Sequence, residues 1–153
     1  MYFAHHTSII DKGAVIGEGT KIWHFTHICK DVKIGNNVNI GQNCYIDNGV
    51  IIGDGCKIQN NVSVYNGVKI GNNVFIGPSV VFTNDFFPRI NKEWKIMETI
   101  IEDDVSICAN STIICGNKLN KGSFIGAGSV VTKDVLSKSL VYGNPAKFKK
   151  FIK

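Results

Sequence analysis

Ile34-Gly35-Asn36-Asn37-Val38-Asn39, Ile40-Gly41-Gln42-Asn43-Cys44-Tyr45 and Ile46-Asp47-Asn48-Gly49-Val50-Ile51 are three consecutive hexads. Each opens on isoleucine and carries a small or β-branched residue four places later. The pattern extends both ways, through Ile10, Ile16, Ile22 and Ile28 on one side and Ile52, Ile58, Val64, Ile70, Ile76 and Phe82 on the other. A helix repeats every 3.6 residues and a half-buried strand every two, so neither accounts for a period of six held this long.

A longer period overlies the first. Ile16-Gly17, Ile34-Gly35, Ile52-Gly53 and Ile70-Gly71 recur every eighteen residues, which is three hexads. One coil therefore has three short sides and closes on itself, with the lead residues pointing into a prism. The glycines and the Asn-Asn or Asp-Gly pairs are expected at corners, where the backbone takes positive φ. No coil buries its apolar face alone, so the coils stack. The expectation is an all-β chain, a parallel β-helix forming a single domain over residues 1–153.

The register breaks at Thr83-Asn84-Asp85-Phe86-Phe87-Pro88-Arg89 and resumes at Ile101, Ile107, Ile113, Leu119, Ile125 and Val131. Residues 83–99 or thereabouts are thus expected to form an extruded loop, and loops of this length in a compact domain usually serve function. At the far end, Asn144 can cap a helix with Pro145 in its first position, and Phe148, Phe151 and Ile152 recur at helical spacing. A short helix capping the prism is expected over about 144–153.

Composition narrows the functional classes. The five cysteines (Cys29, Cys44, Cys56, Cys108, Cys115) include no CxxC pair, and suit small buried residues in a reducing compartment. No apolar run is long enough to span a membrane, and Met1-Tyr2-Phe3-Ala4-His5-His6 lacks a signal-peptide pattern, so a cytoplasmic location is expected. The net charge is +5, but Arg89 is the only arginine and four lysines crowd the last seven residues. That distribution fits a small polyphosphate ligand, or a solvated tail, better than a nucleic-acid surface.

The sides of the prism differ. One carries Ile16-Gly17-Glu18-Gly19 and its repeats, a plain series of turns. Another stacks His24, Gln42 and Asn60 in one column, Phe25, Asn43 and Asn61 in the next, and His27, Tyr45 and Ser63 beside them. Such a face suits a polar ligand or a subunit interface, or else the amides simply form ladders along the coil.

The hexads, the loop after Phe82 and the closing Ile125-Gly126-Ala127-Gly128-Ser129-Val130-Val131 with Gly143-Asn144-Pro145-Ala146-Lys147 resemble the hexapeptide-repeat acyltransferase superfamily. The resemblance covers nearly the whole chain. It implies a left-handed parallel β-helix, a homotrimer, and acetyl-CoA as co-substrate in the groove between neighbouring prisms, with no metal. A narrower resemblance rests on Ile22-Trp23-His24-Phe25, Gln59-Asn60-Asn61-Val62-Ser63-Val64-Tyr65-Asn66-Gly67-Val68 and Gly77-Pro78-Ser79-Val80-Val81-Phe82-Thr83-Asn84-Asp85. These are similar to N-acetyltransferases acting on the 3-amino group of UDP- or dTDP-linked sugars in surface polysaccharide biosynthesis. The segment from Gln59 to Tyr65 leans toward those acetylating UDP-2-acetamido-3-amino-2,3-dideoxyglucuronate.

Many hexapeptide acyltransferases carry a catalytic histidine in or near the loop, whereas this loop has none. The 3-amino-sugar resemblance implies instead that Asn84 positions the amine and that the CoA sulfur takes the proton. Among substrate-binding candidates, Arg89 can pair with a uronate carboxylate or a phosphate, or form an ion pair that steadies the loop, with Lys95 second to it. Asp85 holds the loop or a sugar hydroxyl, the structural role being favoured. His24 suits ligand contact or interface packing rather than proton transfer, and Asn60 and Tyr65 complete the set. The resemblance assigns Ala127, Gly128 and Ser129 to the pantetheine arm and Lys147 and Lys150 to CoA phosphates. Acetylation of a 4-amino sugar or of a sugar hydroxyl is the nearest rival, although a hydroxyl needs base help more than an amine does. A carbonic-anhydrase-like metal enzyme needs three converging histidines, and the four here (His5, His6, His24, His27) all fall in the early coils. An ice-binding solenoid would need a flat threonine column and no loop.

Overall fold

The computed structural model describes all 153 residues, and they form strands and turns without a helix. Three parallel sheets make the sides of a prism. Side one runs from Phe3–Ala4 through Lys21–Ile22 to Ser139–Tyr142, side two from Ile9–Ile10 to Val130–Val131, and side three from Val15–Ile16 to Lys118–Leu119. Pairing joins each two-residue strand to the one eighteen positions on, as in Lys21 with Asn39 and His27 with Tyr45.

The lead residues fill the interior. Ile22, Ile28, Ile40, Ile46, Ile58, Ile76, Phe82, Ile107, Ile113 and Ile125 are wholly buried, with Val32, Val50, Val62 and Val80 packed into the corners between them. Burying each such side chain contributes roughly 1.5–3 kcal/mol. The first coil is less protected, because Ile10 and Ile16 are only partly covered.

The corner glycines serve a different purpose from the one expected. Gly17, Gly35, Gly53 and Gly71 do not take positive φ; two residues later Gly19 (φ 71°), Asn37 (54°), Gly55 (67°) and Asn73 (55°) do. The Ile-Gly glycines are required by close approach between coils. A Cβ on Gly53 would lie 2.6 Å from the Gly71 carbonyl oxygen, and one on Gly35 2.8 Å from the Gly53 carbonyl carbon. The residue after each glycine closes the stack: the Asp54 carboxylate accepts the Asn36 amide at 2.7 Å and the Asn72 side chain accepts the Asp54 amide at 2.8 Å.

Past Phe82 the chain leaves the prism at the corner between sides two and three, and returns at Thr99–Ile101. Ile70 then pairs with Ile101, thirteen residues beyond the usual eighteen, so the excursion leaves the stacking intact.

The C-terminal helix is not formed. Lys147–Phe151 is a strand, antiparallel to Ser139–Tyr142, reached through a turn at Gly143 (φ 109°). An isolated helix of eight or so residues is marginal in water, whereas the last strand of side one offers an open row of hydrogen-bonding groups. Leu140 faces Lys150 and Val141 faces Phe148, which leaves Lys149 as a bulge. That bulge explains the misleading spacing: it brings Phe148 and Phe151 onto one face, their rings 5.0 Å apart, at an interval that reads as helical.

Gly53→Ala is expected to lower stability by about 1–3 kcal/mol through overpacking between coils, measured by chemical denaturation. Gly49→Asn, which suits the positive φ of 70° and would bring a Cβ no nearer than 3.9 Å to its neighbours, is expected to change it by much less.

Candidate functional site

The three corners carry different chemistry. The corner between sides three and one is the plain series of turns. The corner between sides two and three stacks Lys12, Lys30, Asn48, Asn66 and Asn84 at intervals of eighteen, so Asn84 ends an asparagine column. Immediately beyond it the loop begins, and between loop and corner lies a cleft of about 590 Å³. Asn48, Tyr65, Asn66, Thr83, Asn84 and Asp85 form its polar wall; Val81, Pro88, Trp94 and Ile96 form its apolar one, with Asp47 at its base.

Backbone contacts hold the polar wall. Asp47 accepts hydrogen bonds from the Tyr45 hydroxyl (3.0 Å) and the Asn48 and Asn66 amides (2.8 and 3.1 Å). The Tyr45 phenol is pushed above its ordinary range by its contact with Cys29, then by burial and Asp47. Asp85 accepts the Phe87 and Lys95 amides at 2.9 and 3.3 Å and thereby ties the two limbs of the loop. At the loop's neck the Asn84 carbonyl accepts the Met97 amide at 2.9 Å, while its carboxamide makes no hydrogen bond within the chain and faces the cleft.

The returning limb rests on two glycines. A Cβ on Gly67 would stand 2.7 Å from Ile96 Cγ2, and one on Gly116 2.8 Å from Met97 Cε. Both glycines also take positive φ, at 94° and 81°.

Of the residues singled out from sequence, this cleft unites Asn84, Asp85 and Tyr65. Arg89 is exposed on the loop and does not line it, and Lys95 borders a separate hollow with Phe86, Phe87 and Lys92. His24 and Asn60 lie at the corner between sides one and two, in a shallow groove of about 340 Å³ with Trp23, Gln42 and Lys57. There the amides do form ladders: the Asn60 carboxamide oxygen accepts the Gln42 amide (3.0 Å), and Asn43 donates to Asn61 (2.9 Å). His24 stacks on His5 at 3.6 Å, and His5 in turn meets His6 at 4.3 Å.

Ala127 and Gly128 are exposed farther along that same corner, Gly128 at φ 68° with open space around it. Ser129 points inward: it is fully buried, donates to the Gly126 carbonyl and accepts the Gly143 amide at 3.3 Å. Lys147 and Lys150 are exposed on the antiparallel strand rather than on a helix. Asp47, Asn48, Asn66, Trp94 and Ile96 were not anticipated as part of the site. The run Asn48–Asn66–Asn84 was readable at the eighteen-residue period; Trp94 and Ile96 follow no repeat.

Two outcomes are expected here. Gly67→Ala will displace Ile96, and the Met97 amide will exchange faster with deuterium. Partial burial, then the neighbouring His24 and His6, holds the His5 imidazole below its ordinary 6.5. The unfolded chain therefore binds the proton more readily, so stability is full above 6.5 and declines as pH falls from there toward the folded value. Unfolding monitored by the fluorescence of Trp23 and Trp94 together should show that decline, and His5→Phe should flatten it.

Comparison with known proteins fits this architecture. The profile of the bacterial transferase hexapeptide (six repeats) matches residues 13–48 and 49–84, and that of the hexapeptide repeat of succinyl-transferase matches 31–66 and 98–133. A dTDP-3-amino-3,6-dideoxy-alpha-D-galactopyranose 3-N-acetyltransferase of Aneurinibacillus thermoaerophilus is 48% identical over 154 residues, covering 98% of this chain and 78% of that protein. A hexapeptide-repeat-containing acetyltransferase of Vibrio cholerae O1 biovar eltor, solved with acetyl coenzyme A, superposes with a TM-score of 0.62 at 32% identity, over 74% of this chain and 70% of that one. A hexapeptide transferase family protein of Anaplasma phagocytophilum superposes with a TM-score of 0.69 at 25% identity, over 99% and 84%. With both repeat profiles matched and a relative 48% identical along nearly its whole length, the chain belongs to the hexapeptide-repeat transferases.

Proposed function

We propose that this protein transfers the acetyl group of acetyl-CoA to the 3-amino group of a nucleotide-linked (UDP or dTDP) amino sugar, in the biosynthesis of a surface polysaccharide. The observation that carries the reading is the Asn84 carboxamide, unpartnered within the chain and facing a cleft lined by no imidazole. The relative at 48% identity, named for 3-N-acetylation of a dTDP-linked sugar, supports the same chemistry.

The amine attacks the thioester carbonyl, the C–N bond forms, the C–S bond breaks, and the proton lost from nitrogen ends on the CoA sulfur. Such a step depends on placing the amine against the carbonyl and on a donor for the developing oxyanion. Asn84 orients the amine, and a backbone amide serves the oxyanion. Tyr65 borders the sugar, and Asp85 acts through the loop it ties together.

The cleft's charge bears on the sugar. The part of its lining that one chain supplies includes Asp47 and Asp85 and no cation, so on that side a C6 carboxylate would meet two like charges. That favours a 6-deoxy sugar, whose methyl suits Val81, Trp94 and Ile96, over a uronate. The asparagine column leads from the cleft to Lys30 and Lys12, which lie along a path for the diphosphate.

The assembly is proposed as a cytoplasmic homotrimer. No helix is long and apolar enough to cross a membrane. In one chain Asn84 and the exposed Ala127-Gly128 stand on different corners, with side two between them. A groove between two prisms would bring one chain's loop corner to the other's Ala127-Gly128 corner, the arrangement acetyl-CoA needs, with Lys147 and Lys150 available to its phosphates and His24 and Asn60 at the same boundary.

The test is CoA release with UDP- and dTDP-linked 3-amino sugars, as 6-deoxy and uronate forms, beside 4-amino isomers and a hydroxyl control. Turnover of a 3-amino-3,6-dideoxy sugar is expected; turnover only of a 4-amino isomer or a hydroxyl acceptor overturns the assignment. Asn84→Ala is expected to lower kcat about 10²-fold with little change in KM for acetyl-CoA.

A further inference from the structure

Three metal-ligating side chains of different kinds meet away from the cleft. Asp11 stands at the corner between sides two and three in the first coil; one coil later Cys29 holds the same position and His27 projects from side two beside it. One oxygen of Asp11, one ring nitrogen of His27 and the sulfur of Cys29 all lie within 4.8 Å of one another. His27 Nε2 is 3.2 Å from Asp11 Oδ1 and 3.9 Å from Cys29 Sγ.

These contacts resemble a Cys-His-Asp proton relay, but the geometry excludes one. A relay engages the two ring nitrogens separately, with the carboxylate on one and the thiol on the other. Here both partners converge on Nε2. Convergence on a single lone pair is what a shared ion requires. For tetrahedral zinc, with bonds of about 2.0–2.3 Å to oxygen, nitrogen and sulfur, neighbouring ligand atoms stand roughly 3.3–3.7 Å apart. The two separations from His27 fall on either side of that range, within a few tenths of an ångström of it, and the Asp11 oxygen lies within 4.8 Å of the Cys29 sulfur.

The surroundings agree. Cys29 is buried, while Asp11 and His27 keep 40% and 39% of their side chains exposed, so an ion has a way in and water a fourth position. The His27 ring is held edge-on by Tyr45 at 5.9 Å, and Tyr45 is anchored through its hydroxyl to Asp47. A thiolate and an imidazole beside one carboxylate select zinc and its neighbours over magnesium or calcium.

We propose that Asp11, His27 and Cys29 form a binding site for a zinc-type divalent transition-metal ion, which clips the first coil to the second. The site takes no part in acetyl transfer. It spans the junction where burial is weakest, since Ile10 and Ile16 are only partly covered while Ile28 and Ile34 are fully enclosed. Holding Asp11 to residues of the next coil restrains the end of the prism where stacking is one-sided.

The experiment uses the full chain, stripped with chelator under reducing conditions and titrated with Co²⁺. The expected result is a thiolate-to-cobalt band and tetrahedral d–d bands saturating at one ion per chain, displaced by Zn²⁺. Cys29→Ser should abolish the thiolate band. Asp11→Asn, an exposed change expected to fold normally, should weaken binding at least tenfold. With Zn²⁺ roughly a hundredfold above Kd the melting temperature should rise by several degrees in the unsubstituted chain and not in Cys29→Ser. Absence of a one-to-one thiolate band, or its persistence in Cys29→Ser through another of the five cysteines, overturns the proposal. So does unchanged affinity in Asp11→Asn, which decides the matter if Cys29→Ser fails to fold.

Discussion

Every feature of this molecule depends on the hydrogen-bond ladder between coils. The Gly17 amide donates to the Ile34 carbonyl, Gly35 to Ile52 and Gly53 to Ile70, each at 2.8 or 2.9 Å. Adjacent strands therefore sit the usual 4.7–4.9 Å apart, and a residue meets its counterpart eighteen positions away. That spacing leaves no room for a Cβ at the Ile-Gly corners, so glycine there is a condition of stacking. It also converts sequence into columns: asparagine at 48, 66 and 84 becomes a continuous strip of carboxamide because the ladder permits no slip.

A rigid ladder constrains where function can be added. Within a coil, an extra residue would put lead residues outside and corner residues inside. The thirteen added residues leave and return at one corner, and Ile70 still faces Ile101. The loop is held by few contacts, chiefly the Asp85 carboxylate, the neck between Asn84 and Met97, and Ile96 and Met97 against two glycines. A floor of fixed columns and a wall of loop side chains together enclose a volume that neither would create alone.

The period of six made the prism legible, since each lead position reports its own burial, and the break after Phe82 located the loop. Periodicity did not reveal which corner faces which. His24 and Asn60 stood out as polar columns, yet they share a corner with Ala127 rather than with Asn84. The asparagine column was equally periodic but was masked by the ordinary turn chemistry of Asp47-Asn48-Gly49 and Tyr65-Asn66-Gly67. Trp94 and Ile96 were unreadable because a loop has no period to test them against. The C-terminal segment misled for a definite reason: a bulge at Lys149 gives a strand the spacing of a helix, and helix-capping residues do not outweigh an unpaired strand edge.

A stack of identical rungs has no intrinsic stopping point, since its last coil exposes the same bonding pattern that the previous coil satisfied. Chains of this kind are open to end-to-end growth into filaments. Here the final rung on side one runs backwards. The Lys147–Phe151 strand occupies that edge with reversed polarity and carries lysines at 147, 149 and 150. A parallel coil from another molecule finds neither the matching donor–acceptor order nor an uncharged surface there. The Lys147–Phe151 strand thus closes the edge of side one to further parallel stacking.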